Sequence, residues 1–259
     1  MPHATSGGCR IYYRVDGDPQ RPALLFSNSL GTTHDLWMPQ GAALAPSFRI
    51  IRYDTRGHGL SDAPAGEYTI GQLGGDVIAV MDDAGVSRAH ICGLSLGGLT
   101  AMWLGIHVAE RVSSLVLAST GAKIATSAIW QERIEQVKAG GLESIADGAK
   151  TRWFTGAFRA AHPDAVDHQV RMLVSGPAGG YIGCCAVLRD TDLSDEIGAI
   201  AAPTLVIGAV ADPVTPPGNA ELMQSRIPNA ALALLDGSHI VNVEQADAFN
   251  DHLLRFLHE

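Results

Sequence analysis

Residues 89–99 read Ala-His-Ile-Cys-Gly-Leu-Ser-Leu-Gly-Gly-Leu, and this stretch decides the architecture. Residues 89–93 form a short apolar run that reads as a buried strand, and residues 98–108 read as a helix. Between them lies Gly93-Leu94-Ser95-Leu96-Gly97, with the spacing Gly-x-Ser-x-Gly. As a bare pattern it is weak, because Gly and Ser are common. Between a strand and a helix it describes a turn so tight that neighbours larger than glycine clash and the serine takes a strained backbone conformation. Such a turn lifts the Ser95 hydroxyl above the sheet. It also aims the first amides of the following helix at whatever Ser95 attacks.

Outward from this turn, strands and helices alternate. Residues 10–15 (RIYYRV), 23–28 (ALLFSN), 48–53 (FRIIRY), 114–119 (SLVLAS), 204–208 (TLVIG) and 231–235 (ALALL) read as strands. The run at 23–28 is continuously apolar, as a strand covered on both faces would be. Residues 70–84 carry Leu73, Val77, Val80 and Met81 at helical spacing, and further helices are predicted near 220–226 and 246–257. The alternation implies an α/β fold, a mostly parallel central sheet with helices on both faces. Residues 122–200 interrupt it with helical periodicity broken by Gly140-Gly141, Pro163 and Pro177. That segment is too long for a loop and reads as a helical cap over a core of residues 1–121 and 201–259.

Bulk properties bound the function. A chain of 259 residues, 46% hydrophobic, can bury about three quarters of its unfolded surface. Disorder is excluded by composition. Collagen is excluded because the glycines and prolines have no period. No apolar run reaches the roughly 18–20 residues of a membrane span, and residues 1–10 lack a signal pattern. Lys and Arg number 18 against 27 Asp and Glu, so 18 − 27 = −9. Nucleic acid and membrane surfaces are therefore not expected partners, and an anionic substrate needs a local arginine. Cys9, Cys92, Cys184 and Cys185 contain no Cys-x-x-Cys, and the ten histidines no His-Glu-x-x-His. Neither a disulfide framework nor a metal is expected, which fits a reducing, cytoplasmic setting. Nothing in the sequence sets the oligomeric state.

A serine hydroxyl needs a base held by an acid. The strand at 204–208 runs into Asp212, and the strand at 231–235 runs into His239. Ser95, Asp212 and His239 are thus the candidate nucleophile, acid and base. Asp236 lies too near His239 in a turn to orient its ring, and Asp192 and Asp195 read as surface or helix-capping residues. His34 and His58 are candidates to line the site, whereas His90, His107, His252 and His258 read as framework or surface. Oxyanion donors are expected from the amide of Leu96 and from that of Leu30, in the loop Asn28-Ser29-Leu30-Gly31.

With these pieces the chain resembles the α/β-hydrolases along its whole length. The likeness is carried by Asn28-Ser-Leu-Gly31 with Trp37, Asp54-Thr-Arg-Gly-His-Gly-Leu-Ser61, Gly93-Leu-Ser-Leu-Gly97, Asp212-Pro-Val-Thr-Pro216 and Gly237-Ser-His239. Many relatives have His-Gly where this chain has Asn28-Ser29. Residues 27–37, the elbow through Gly98, and Tyr181, Cys184-Cys185-Ala186, Arg189-Asp190 and Asp192-Leu193 in the cap are similar to the 3-oxoadipate enol-lactonase family. The resemblance implies an α/β-hydrolase fold with a helical cap inserted after the sixth strand. It further implies hydrolysis of a small anionic lactone through an acyl-enzyme, without a cofactor, in bacterial aromatic catabolism by the β-ketoadipate pathway. Cofactor-free haloperoxidases and other esterases share most of these motifs. Perhydrolysis, another small ester, and a ligand receptor without turnover therefore stand as alternatives.

The substrate carboxylate needs a partner. Ile129, Trp130, Arg133, Ile134 and Val137 share one stripe of a cap helix. Arg133 among them either snorkels to the cap edge or points into the pocket to pair with the carboxylate. Arg152 and Arg189 are weaker candidates. Trp130, Trp153 and Ser29 complete the candidate substrate-binding set, with Phe154 and Phe158 as further apolar wall. Arg56 reads as scaffolding.

Overall fold

A computed structural model describes residues 2–258. Among them eight strands form one sheet: β1 (His3–Ser6), β2 (Cys9–Asp16), β3 (Ala23–Ser27), β4 (Arg49–Tyr53), β5 (Ala89–Leu94), β6 (Val112–Ala118), β7 (Thr204–Ala209) and β8 (Ala230–Leu235). The helices of the core are α1 (Met38–Leu44), α2 (Ile70–Asp83) and α3 (Leu96–His107), followed after β6 by α4 (Ser127–Gly140), α5 (Ala146–Trp153), α6 (Gly156–Ala161), α7 (Pro163–Val174) and α8 (Ala178–Asp190). The chain closes with α9 (Pro217–Arg226), α10 (Val241–Glu244) and α11 (Ala246–His258).

The strand order is β1-β2-β4-β3-β5-β6-β7-β8. The pairs β1–β2 and β2–β4 are antiparallel and every other pair is parallel. Every residue of β3 and β7 is buried, so both faces of the sheet are covered. On the helices, α2 packs with α3, and α1, α10 and α11 pack together. In α2, Leu73, Val77, Val80 and Met81 are all buried, and Thr69 and Gln72 close a reciprocal capping box at its start. Burying each such side chain contributes roughly 1.5–3 kcal/mol. The chain winds from β3 to β4 on one side and returns to β5 on the other. The crevice beyond the carboxyl ends of β3 and β5 is therefore a switch point, where open α/β sheets place their ligands.

Some elements depart from the sequence reading. The strand β1 was not foreseen, since its four residues, HATS, alternate weakly; it is set by register against β2, His3 opposite Tyr12 and Ser6 opposite Cys9. The helix α1 and the 3-10 turn before it (His34–Trp37) also lacked a clear period. The helix α3 starts at Leu96 rather than 98, which makes Ser95 its N-cap residue. Between β6 and β7 every regular element is helical, with α4 packed on α8. On α4, Trp130, Ile134 and Val137 are buried but Ile129 is 49% exposed. The apolar stripe is thus narrower than expected, because adjacent residues diverge by about 100° around a helix.

Candidate active site

The turn at Ser95 is strained, with φ 57° and ψ −115°. A non-glycine residue there costs on the order of 1–3 kcal/mol, and its neighbours hold it in place. The Ser95 N–H donates to the Ala118 carbonyl (3.0 Å), and the Ser95 carbonyl accepts from Thr120 Oγ1 (2.7 Å) and from the Leu99 amide (3.0 Å). The flanking glycines are required by contact. A Cβ at Gly93 would stand 2.2 Å from the Gly97 carbonyl oxygen, and one at Gly97 would stand 2.1 Å from that of Ser27.

Asp212 and His239 follow β7 and β8 at the same end of the sheet. Asp212 Oδ2 lies 2.8 Å from His239 Nδ1 and accepts from Thr215 Oγ1 (2.7 Å), while Oδ1 accepts from the Val214 and Thr215 amides at 2.8 and 3.1 Å. Burial opposes the Asp212 charge, but His239 and the bonds from Thr215 outweigh it and hold the carboxyl below its usual pKa. An ionised carboxylate only accepts, so Nδ1 carries the ring proton and Nε2 is left as the basic nitrogen. His239 and Ser95 line the same cleft. Asp236 is exposed, and its carbonyl is taken by Gln245.

The loop after β3 forms a second wall, with Ser29 and Leu30 lining the cleft. The Gly31 amide donates to His58 Nε2 (2.9 Å) and the Thr32 amide to the Ser29 carbonyl (3.2 Å). Burial pushes the His58 pKa down, which keeps this ring neutral and able to accept. His58 therefore braces the loop from behind. The Leu96 amide opens α3, where the first N–H groups have no partner within the helix. His34 is held by Asp54 (Nδ1 to Oδ1, 2.8 Å) beside a separate groove, so it does not line the cleft. Arg56 makes a buried two-pronged ion pair with Asp76, both bonds 2.6 Å.

The helices between β6 and β7 supply a further wall. Trp130, Arg133, Arg152, Trp153 and Tyr181 all line the cleft with Ser95. The Trp130 indole is fixed by the Ile124 carbonyl (2.6 Å). Arg133 Nη1 donates to the Tyr181 hydroxyl at 3.4 Å. Burial and the charge of Arg133 lower the Arg152 pKa, though a guanidinium stays charged at neutral pH. Ser95 and the two arginines thus share a cleft with no acidic side chain in its lining. Arg189 is elsewhere, bonded to Glu67 and Asp190. Phe154 and Phe158 stack on each other (5.2 Å between centroids) rather than forming wall. Sequence reading missed Ala149, Leu173, Tyr181 and Val214, which also line the cleft. Of these Val214 carried a signal through its place in the segment after Asp212, and Tyr181 through its place in the motif that resembles the enol-lactonases. The cleft is narrow, about 40 Å³. It suits a small substrate.

A family model described as the alpha/beta hydrolase fold matches residues 22–153, and one described as TAP-like protein matches residues 185–259. The chain is 43% identical over 246 residues to 3-oxoadipate enol-lactonase 2 of Acinetobacter baylyi, covering 95% of this chain and 92% of the relative. It is 40% identical over 242 residues to 3-oxoadipate enol-lactonase 1 of the same organism, covering 93% and 91%. The crystal structure of the enol-lactonase from Burkholderia xenovorans LB400 superposes with a TM-score of 0.98 at 39% identity over 100% of both chains.

Proposed function

The chain belongs to the α/β-hydrolase family and is a hydrolase, and from that premise we propose that it opens 3-oxoadipate enol-lactone to 3-oxoadipate. The observation that carries the substrate choice is the pair of arginines, Arg133 and Arg152, in the cleft of Ser95 and His239. A lactone bearing a free carboxylate matches that charge. The relatives at 40–43% identity, named for the same reaction, support it independently.

In this mechanism Ser95 Oγ bonds to the lactone carbonyl carbon while His239 Nε2 takes its proton. Asp212 stabilises the imidazolium so formed. The carbonyl oxygen becomes an oxyanion held by the Leu96 and Leu30 amides; losing one such donor costs about 10²–10³-fold in kcat. Collapse breaks the ring carbon–oxygen bond. The departing enolate oxygen takes the proton from His239, and the enol ketonises, so the leaving group is a good one. Water, deprotonated by His239, then attacks the acyl carbon; the Ser95 Oγ–carbon bond breaks, Ser95 Oγ takes the proton back from His239, and the dicarboxylate leaves. Arg133, with Trp130, Trp153 and Ser29, holds the substrate from the cap and loop. Residues 122–200 act as the cap, and the reaction serves aromatic catabolism.

The experiment is to follow lactone loss in the ultraviolet with wild type and Ser95→Ala. The wild type is expected to turn over, and the variant to lose at least about 10³-fold. Turnover retained by the variant refutes the mechanism. A wild type that hydrolyses activated esters but not the lactone refutes the substrate.

A further inference from the structure

The loop that carries His239 is tied to the cap by a set of hydrogen bonds that catalysis by the triad does not itself require. Glu244, the last residue of α10, sits at their centre. Its Oε2 accepts from the Ser238 amide (2.9 Å). Its Oε1 accepts from Thr155 Oγ1, and the Thr155 amide lies 3.3 Å from Oε2. Two further bonds flank His239 in sequence. Ser238 Oγ donates to the Arg152 carbonyl (2.9 Å), and the Ile240 amide donates to the Trp153 carbonyl (3.0 Å). The residues on both sides of His239 are therefore bonded to the end of α5.

That end of α5 is also the part of the cap that delivers Arg152 and Trp153 to the cleft. Thr155, the other partner of Glu244, caps the start of α6 by accepting from the Phe158 amide (3.2 Å). The carboxylate thus joins two things directly, the backbone before His239 and the joint between α5 and α6, and the Ser238 and Ile240 bonds extend the link to the arm bearing Arg152. An ionised carboxylate is suited to this because it only accepts and has room for several donors at once.

We propose that Glu244 is a positioning residue, which sets the His239 loop and the Arg152–Trp153 arm in one fixed relation. This rests on the reading of Ser95 and His239 as nucleophile and base. Because a reactive constellation must be held to about 0.5 Å, loosening the clamp moves the imidazole relative to Ser95. The same loosening moves the arm that meets the substrate. The α5–α6 joint and the His239 loop accordingly act as one unit.

The test compares wild type, Glu244→Ala and Glu244→Gln, together with Asp83→Ala, which breaks the Tyr13–Asp83 bond away from the cleft. Three readouts are taken below every unfolding transition: kcat and KM on the lactone, kcat on neutral p-nitrophenyl acetate, and the rate at which a fluorophosphonate labels Ser95. Glu244→Ala is expected to lower kcat on both substrates and the labelling rate by about 10- to 100-fold, and to raise KM for the lactone. Glu244→Gln keeps one accepting oxygen but turns an amide donor toward an N–H, so it is expected to fall between. Asp83→Ala is expected to lower the melting temperature and leave all three rates unchanged. The proposal is overturned if Glu244→Ala and Glu244→Gln keep all rates within about twofold of wild type while only stability falls. If Glu244→Ala does not fold, the glutamine variant carries the same comparison. A wild type inert to the lactone but labelled at Ser95 refutes the substrate and leaves this test intact. A wild type never labelled at Ser95 overturns both.

Discussion

Replacing Arg133 with methionine removes a guanidinium and keeps most of the apolar stem that packs along the cap. Arg133 is half-buried and bonded only weakly to Tyr181, at 3.4 Å. Its charge is thus available to a ligand without breaking an ion pair. A charge-assisted hydrogen bond to a carboxylate contributes about 1.5–3 kcal/mol. The Coulomb energy of a close pair at an effective dielectric of 20, about 4 kcal/mol, is an upper bound that partial exposure reduces. At about 1.4 kcal/mol per decade, the expected loss in kcat/KM for the lactone is about 10- to 100-fold. The substrate carboxylate keeps its charge through the reaction, so the loss falls on KM rather than kcat. The methyl ester of the same lactone lacks that charge and is expected to change by less than about threefold. Arg152 feels the charge of Arg133 and is freed of that repulsion in the variant, so it takes over part of the grip. The double variant Arg133→Met/Arg152→Met is therefore expected to lose more than the product of the single losses. Initial rates on the lactone and its methyl ester provide the assay. Equal losses on both substrates, or none on the anion, refute the charge-recognition argument.

Asp76→Ala leaves the buried Arg56 guanidinium without its partner and is expected to cost about 3–5 kcal/mol, read from urea unfolding at neutral pH; a cost below about 1 kcal/mol refutes that role for the pair. Asp212 has a folded pKa below its ordinary value, so its ionised form stabilises the fold. That contribution is complete above the unfolded value of about 3.9 and is lost as pH falls through the lower folded value. The stability advantage of wild type over Asp212→Asn is expected to vanish across that acid range in urea titrations, and an advantage undiminished at the lowest pH refutes it.

Legibility in the sequence followed range of interaction. The strands β3 and β7 are nearly continuous apolar runs, and a strand buried on both faces needs little else to declare itself. The short strand β1 depends on a partner distant in sequence and left no local mark. Arg56 pairs with Asp76, a charged residue within the buried face of α2, and only packing reveals which carboxylate answers it. Arg152 and Arg189 stood equal as sequence: each is an arginine on a helix between β6 and β7. The fold turns one into the cleft and binds the other to Glu67 and Asp190.

By itself, the sequence determined the α/β alternation, the strained turn at Ser95, and the placement of Asp212 and His239 directly after strands. These depend on contacts within a few residues, on steric limits around glycine and on apolar period. Tertiary structure alone decided which side chains of the helices between β6 and β7 share a cleft with Ser95, that His58 braces the loop of Leu30, and that Glu244 reaches Ser238 and Thr155. Those relations arise from helices whose polar and apolar faces fit several packings equally well, and only the complete set of buried contacts selects one.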